Sequence, residues 1–96
     1  MEQITRIMHM EQILDEVTEV IASLSESLEQ YELIQDRLQE LSAYYGSTQW
    51  RADFDDDHAG RLPRDLKRGV LSEDAFYNLL MEHANLKKQL RHLGTL

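Results

Sequence analysis

The chain has 96 residues, 42% of them hydrophobic and 29% charged, with a formal net charge of -8 and no cysteine. That length makes one small domain, and as a monomer it would hide only about 60% of its unfolded surface. The totals exclude a disordered acidic tail, a disulfide scaffold and every thiolate metal site or cysteine nucleophile.

No stretch approaches the roughly 18 apolar residues of a membrane span, and the N-terminus has no basic region followed by an apolar one. A cytoplasmic protein is therefore expected, with no membrane partner. The charge is uneven. Residues 1–48 hold ten acids and two bases, whereas residues 61–69 hold four bases and one acid. An acidic first half repels the phosphate backbone, so no direct nucleic-acid binding is expected.

From Ile7 the apolar residues fall at Met10, Leu14, Val17, Ile21, Leu24, Leu28 and Tyr31, alternating steps of three and four. Such spacing lines one seam of a long helix, in the manner of a coiled coil. At Gln35 the frame slips, and the stripe resumes one residue early as Ile34, Leu38, Leu41 and Tyr45. Ile4, Ile13, Val20 and Leu33 widen it beyond a strict two-stranded seam. No glycine or proline interrupts residues 2–45, which predicts a single helix over 1–45. Ser23 with Glu26, and Ser27 with Gln30, fit capping-box spacing, so a break near Ser23–Ser27 is the alternative.

The connector, residues 46–71, holds most of the turn-forming residues. Gly46 is expected to cap the first helix in the left-handed conformation, and Ser47 or Thr48 to open a short second helix. Trp50 and Phe54, four apart, share a face of that helix and are expected to anchor the connector. Ala59-Gly60 ends it. Pro63 predicts another short helical turn over 64–68, closed by Gly69. Ser72 then caps a last helix over 72–93, with Glu73 and Asp74 in its first turn and Gly94 as its stop. Phe76, Leu79, His83, Leu86, Leu90 and Leu93 line its apolar face.

The expected fold is all-α: a long N-terminal helix, a helical connector with short turns, and a shorter C-terminal helix packing back. At about 21 residues the last helix covers only about half of the first. Ile7, Met10, Leu14, Val17 and Ile21 are thereby left without an intrachain partner, and a bundle completed by a homodimer, or by a standing protein partner, is the expectation.

The segment Gly60-Arg61-Leu62-Pro63-Arg64-Asp65-Leu66-Lys67-Arg68-Gly69-Val70-Leu71-Ser72-Glu73-Asp74, with Tyr44-Tyr45-Gly46-Ser47 and the run from Trp50 to Asp57, resembles a family of small bacterial proteins known as domain of unknown function 4298. The resemblance spans nearly the whole chain. It implies a bacterial, mainly helical protein and carries no catalytic or binding residues with it.

Candidate chemistry is sparse. Asp53, Asp55 and Asp57 have the opening rhythm of a calcium loop, but His58 stands where glycine belongs and Arg64 where the closing glutamate belongs. These acids are expected to face water and pair with the basic run that follows. Arg64, Lys67, Arg68 and Ser72 could hold a phosphate or carboxylate near a helix start, although Glu73 and Asp74 already occupy that mouth. His83 sits on the apolar seam as a core residue, and His9, His58 and His92 are scattered. No phosphate loop or nucleophile elbow is present, so no enzyme and no cofactor are expected. Three functions remain open: a helical interaction or assembly module; an acidic decoy of nucleic acid, presenting Asp15, Glu19, Glu26, Glu29, Asp36 and Glu40; and a small anionic-ligand binder built on the basic connector.

Overall fold

The computed structural model describes residues 2–96, and every regular element among them is helical. The first helix, α1, covers Glu2–Leu33, and α2 covers Gln35–Tyr45. Helix α3 spans Thr48–His58, a single 3-10 turn follows at Gly69–Leu71, and α4 spans Glu73–Leu93. The chain divides into two compact units, one ending at Glu40 and the other covering Leu41–Leu96.

In the first unit α1 passes through Ser23, Ser25 and Ser27 without a break, so the potential capping boxes there go unused. A capping box only compensates for amides that a helix break would free, and the unbroken helix leaves none of them to cap. The interruption comes instead at Ile34, the point where the apolar frame slips. It is slight. The Ile34 amide still donates to the Gln30 carbonyl at 3.0 Å and the Leu38 amide to the Ile34 carbonyl at 3.0 Å. The Gln35 side chain donates through Nε2 to the Tyr31 carbonyl at 2.9 Å, satisfying an acceptor at the irregularity with a side-chain donor.

The second unit is organised by caps and rings. Ser47 is the N-cap of α3, in extended backbone with φ -94 and ψ 160, and its Oγ accepts from the Trp50 amide at 3.1 Å while donating to the Tyr44 carbonyl at 2.6 Å. The C-terminus of α3 closes in a Schellman motif. The Gly60 amide donates to the Asp57 carbonyl at 3.1 Å and the Arg61 amide to the Asp56 carbonyl at 2.9 Å. Gly60 carries the left-handed φ of 71 that this motif requires.

Two expectations about the connector are corrected. Gly46 is not left-handed; among the described residues Gly60 alone has positive φ. The chain leaves Tyr45 through a turn in which the Ser47 amide donates to the Tyr44 carbonyl at 3.0 Å, and Ser47 then starts α3 at once, so no left-handed residue is needed. Nor do residues 64–68 form a helical turn. Pro63 starts only a turn, with the Leu66 amide on its carbonyl at 3.3 Å, and Gly69 opens the 3-10 turn in place of closing a helix. Helix α4 starts after Ser72 as expected, but Ser72 makes no side-chain capping bond; Glu73 and Asp74 supply the negative charge in the first turn.

Replacing Gly60 by alanine is expected to lower stability by about 1 kcal/mol, because a Cβ there costs strain at positive φ although nothing lies within 4 Å of it. Gly46→Ala is expected to be neutral or slightly stabilising, since φ is not positive there and the nearest atom to a new Cβ is 4.0 Å away. Urea unfolding of the two variants checks the contrast.

Candidate functional site

Two surfaces concentrate whatever this chain can do: the apolar face of α1, and the aromatic and basic connector of the second unit. The connector is built around Trp50, which with Leu71 forms the buried apolar set among the described residues, the two being 9% and 7% exposed. A tryptophan placed out of water needs an acceptor for its indole N-H. Trp50 Nε1 finds it in the Val70 carbonyl at 2.9 Å, and this bond joins α3 to the 3-10 turn twenty residues later.

Around Trp50 the rings form a continuous file. Phe54 stacks on it at 5.1 Å, and His58 lies against Phe54 at 4.3 Å, so residues 50, 54 and 58 follow one face of α3. On the other side Tyr45 lies 5.6 Å from Trp50 and stacks on Phe76 of α4, centroids 4.4 Å apart and planes 14° from parallel. The Arg51 guanidinium stands 6.0 Å from the Trp50 ring centre and 5.9 Å from that of Phe54, within cation-π range. The Trp50 and Phe54 anchor was legible from their spacing. Tyr45 and Phe76 were not, because nothing in a sequence of this kind pairs a residue at the end of one helix with one thirty positions on.

The two adjacent tyrosines act differently. Tyr44 donates its hydroxyl to Asp53 Oδ2 at 2.7 Å, and Tyr45 donates to the Ser72 carbonyl at 3.3 Å. The hydrogen bond to Asp53, then desolvation, then the Asp53 charge push the Tyr44 hydroxyl up from 10.0 to about 12. Burial raises Tyr45 as well.

The acids after Trp50 lie on α3 and not in a loop, where about 100° per residue fans alternate carboxylates apart. Each of three has its own partner. Asp53 accepts from Tyr44, Asp56 from Arg61 at 2.9 Å, and Asp57 from Arg68. No group of three His, Cys, Asp or Glu side chains among the described residues could hold a metal ion. Two of the four bases in the run, Arg61 and Arg68, thus pair with acids that precede them.

Of the anion-site candidates, Arg68 turns its guanidinium inward to Asp57 and to the Pro63 and Leu66 carbonyls. It works as a clasp that closes the 57–68 loop. Arg64 and Lys67 are exposed, and Ser72 is engaged through its carbonyl with Tyr45. A clasp of this kind has no clear mark in the sequence, where Arg61, Arg64, Lys67 and Arg68 look equivalent.

On α1 the residues named for a dimer interface are all exposed: Ile7 52%, Met10 56%, Leu14 58%, Val17 49% and Ile21 62%. No residue of α1 is buried. Glu16, Val17, Val20 and Ile21 line a shallow open depression on the same helix.

Trp50→Phe is expected to lower stability by about 1–3 kcal/mol in chemical denaturation, because it strips the donor from the Val70 carbonyl while keeping a ring in place. Tyr44 gives a pH readout. Its folded state favours the protonated phenol, so that contribution is complete below the ordinary value of 10 and is lost as pH rises through about 12. Ultraviolet titration of the four tyrosines should show a component near 12, and Asp53→Asn should move that component back toward 10.

A family model described as domain of unknown function (DUF4298) matches residues 7–93, and the chain belongs to that family. No curated protein and no solved structure matches it. Among the described residues no helix is long and apolar enough to cross a membrane.

Proposed function

We propose that this member of the family is a non-enzymatic assembly module that self-associates through the apolar face of α1. The observation that carries this reading is a 32-residue helix with a continuous apolar stripe and no buried residue. At 1.5 Å per residue α1 is about 48 Å long, and a stripe about 10 Å wide amounts to an area on the order of 500 Å². That lies near the top of the range for the largest apolar patch on a monomer.

Supply and demand of apolar surface support a second copy as the occupant. Helix α4 has 21 residues, about 30 Å, and is too short to cover 48 Å wherever it lies. The second unit buries only Trp50 and Leu71. A chain of this size with so small a core gains its stability most directly by burying the remaining stripe against an identical one. Asp15, Glu16, Glu19, Glu26 and Glu29 of α1 stay on the outer, solvated side.

Sedimentation equilibrium is expected to give twice the chain mass at micromolar concentration, with a melting temperature that rises with protein concentration. Leu14→Asp with Ile21→Asp should give a monomer with a lower, concentration-independent melt. A wild-type chain that sediments as a monomer across the micromolar range overturns the proposal.

A further inference from the structure

The pattern of charge beside the α1 seam sets the direction of pairing, and this inference rests on the proposed self-association. Counting Ile7, Leu14, Ile21 and Leu28 as heptad a positions and Met10, Val17 and Leu24 as d, the acids Asp15, Glu16, Glu19, Glu26 and Glu29 fall at b, c or f, away from the seam. Three charged residues flank it. Arg6 is at g, and Glu11 and Glu32 are at e.

In a parallel pair, each g residue meets the e residue five positions later on the other helix. Arg6 then faces Glu11 of the second copy, and the symmetry of the pair makes this contact twice. No like charges meet: Ile13 lies across from Thr18, Val20 from Ser25, and Ser27 from Glu32. The two bulky apolar g residues thus stand opposite small e residues.

Antiparallel pairing loses this match. With residue 7 beside residue 24 or residue 31, the two alignments that keep the seam overlapped, Arg6 faces Ser27 or Ile34 and Glu11 faces Thr18 or Ser25. Both charges then lie beside an apolar seam without an opposite charge. We infer that two copies of the chain pair through α1 in parallel and in register, with Arg6 against Glu11 of the second copy at both edges.

The chain has no cysteine, so single cysteines report cleanly. In the 96-residue chain, Met10→Cys is expected to form an intermolecular disulfide in a glutathione redox buffer, because parallel pairing places like d positions within disulfide reach. Antiparallel pairing places them at least about 16 Å apart along the axis, beyond that reach. Spin labels on Thr5→Cys, on the outer face, provide a measurement independent of disulfide geometry. Parallel pairing holds them within about 30 Å, whereas the antiparallel alignments add an axial offset of at least about 30 Å to the width of the pair. Arg6→Glu should weaken the dimer by roughly tenfold, and Arg6→Glu combined with Glu11→Arg should restore it.

A sedimenting dimer whose Met10→Cys stays reduced and whose labels lie beyond about 40 Å overturns the parallel orientation and leaves the assembly module standing. A failure of the charge swap to restore affinity overturns the Arg6–Glu11 assignment. A wild-type monomer overturns both this inference and the function it rests on.

Discussion

The hydrogen bond from the Trp50 indole to the Val70 carbonyl is the constraint on which the second unit depends. Between α3 and the 3-10 turn lie ten residues without regular structure, and a loop of that length has many alternatives unless its ends are held. Trp50 holds them by burying its ring and by satisfying its one polar atom on the far side of the loop. The Arg68 clasp on Asp57 and the Arg61 pair with Asp56 then fasten the loop at intermediate points. These ion pairs are partly or largely exposed and contribute little alone. Their effect is to select one path for a loop whose ends Trp50 has already brought together.

The aromatic file extends that anchor in both directions, from Phe76 through Tyr45, Trp50 and Phe54 to His58. Five rings from three helices are a large share of the apolar mass of this unit. Flat rings bury area at low cost in side-chain entropy, which suits a unit too small for a layered aliphatic core. The acids and bases around the file serve the same end. Asp53, Asp56 and Asp57, which in a loop would suggest a cation site, lie on a helix, and each meets a donor of this unit.

The first unit obeys a different economy. Helix α1 has few local devices beyond its apolar period, with no basic residue in its last turn and no buried side chain. Isolated helices draw little stability from propensity, so a stripe of this length needs a packing surface. The second unit thus holds the buried residues, Trp50 and Leu71, and the first holds the exposed apolar stripe.

Much of this was legible in the residues. The all-helical class, the start of α3 at Ser47, the pairing of Trp50 with Phe54, the beginning and end of α4, and the phase slip at Ile34 all rest on periods and caps that act over four residues or fewer. The uninterrupted passage through Ser23–Ser27 was legible from a seam that crosses the serines without a phase jump, but the small break at Ile34 was legible only as a slip of frame, not as a boundary. Local rules misled at Gly46 and at residues 64–68, where a glycine and a proline have their usual meanings only if the next element leaves room for them.

The sequence by itself determined the helices, their apolar faces and the surplus of stripe on α1, because each depends on neighbours along the chain. Tertiary structure alone decided which acceptor Trp50 would use, that Tyr45 would stack on Phe76, and that Arg68, among four similar bases, would close the loop. Those choices depend on distances between residues eleven to thirty-one positions apart. Chemically equivalent side chains become distinct only when the backbone brings one of them within reach.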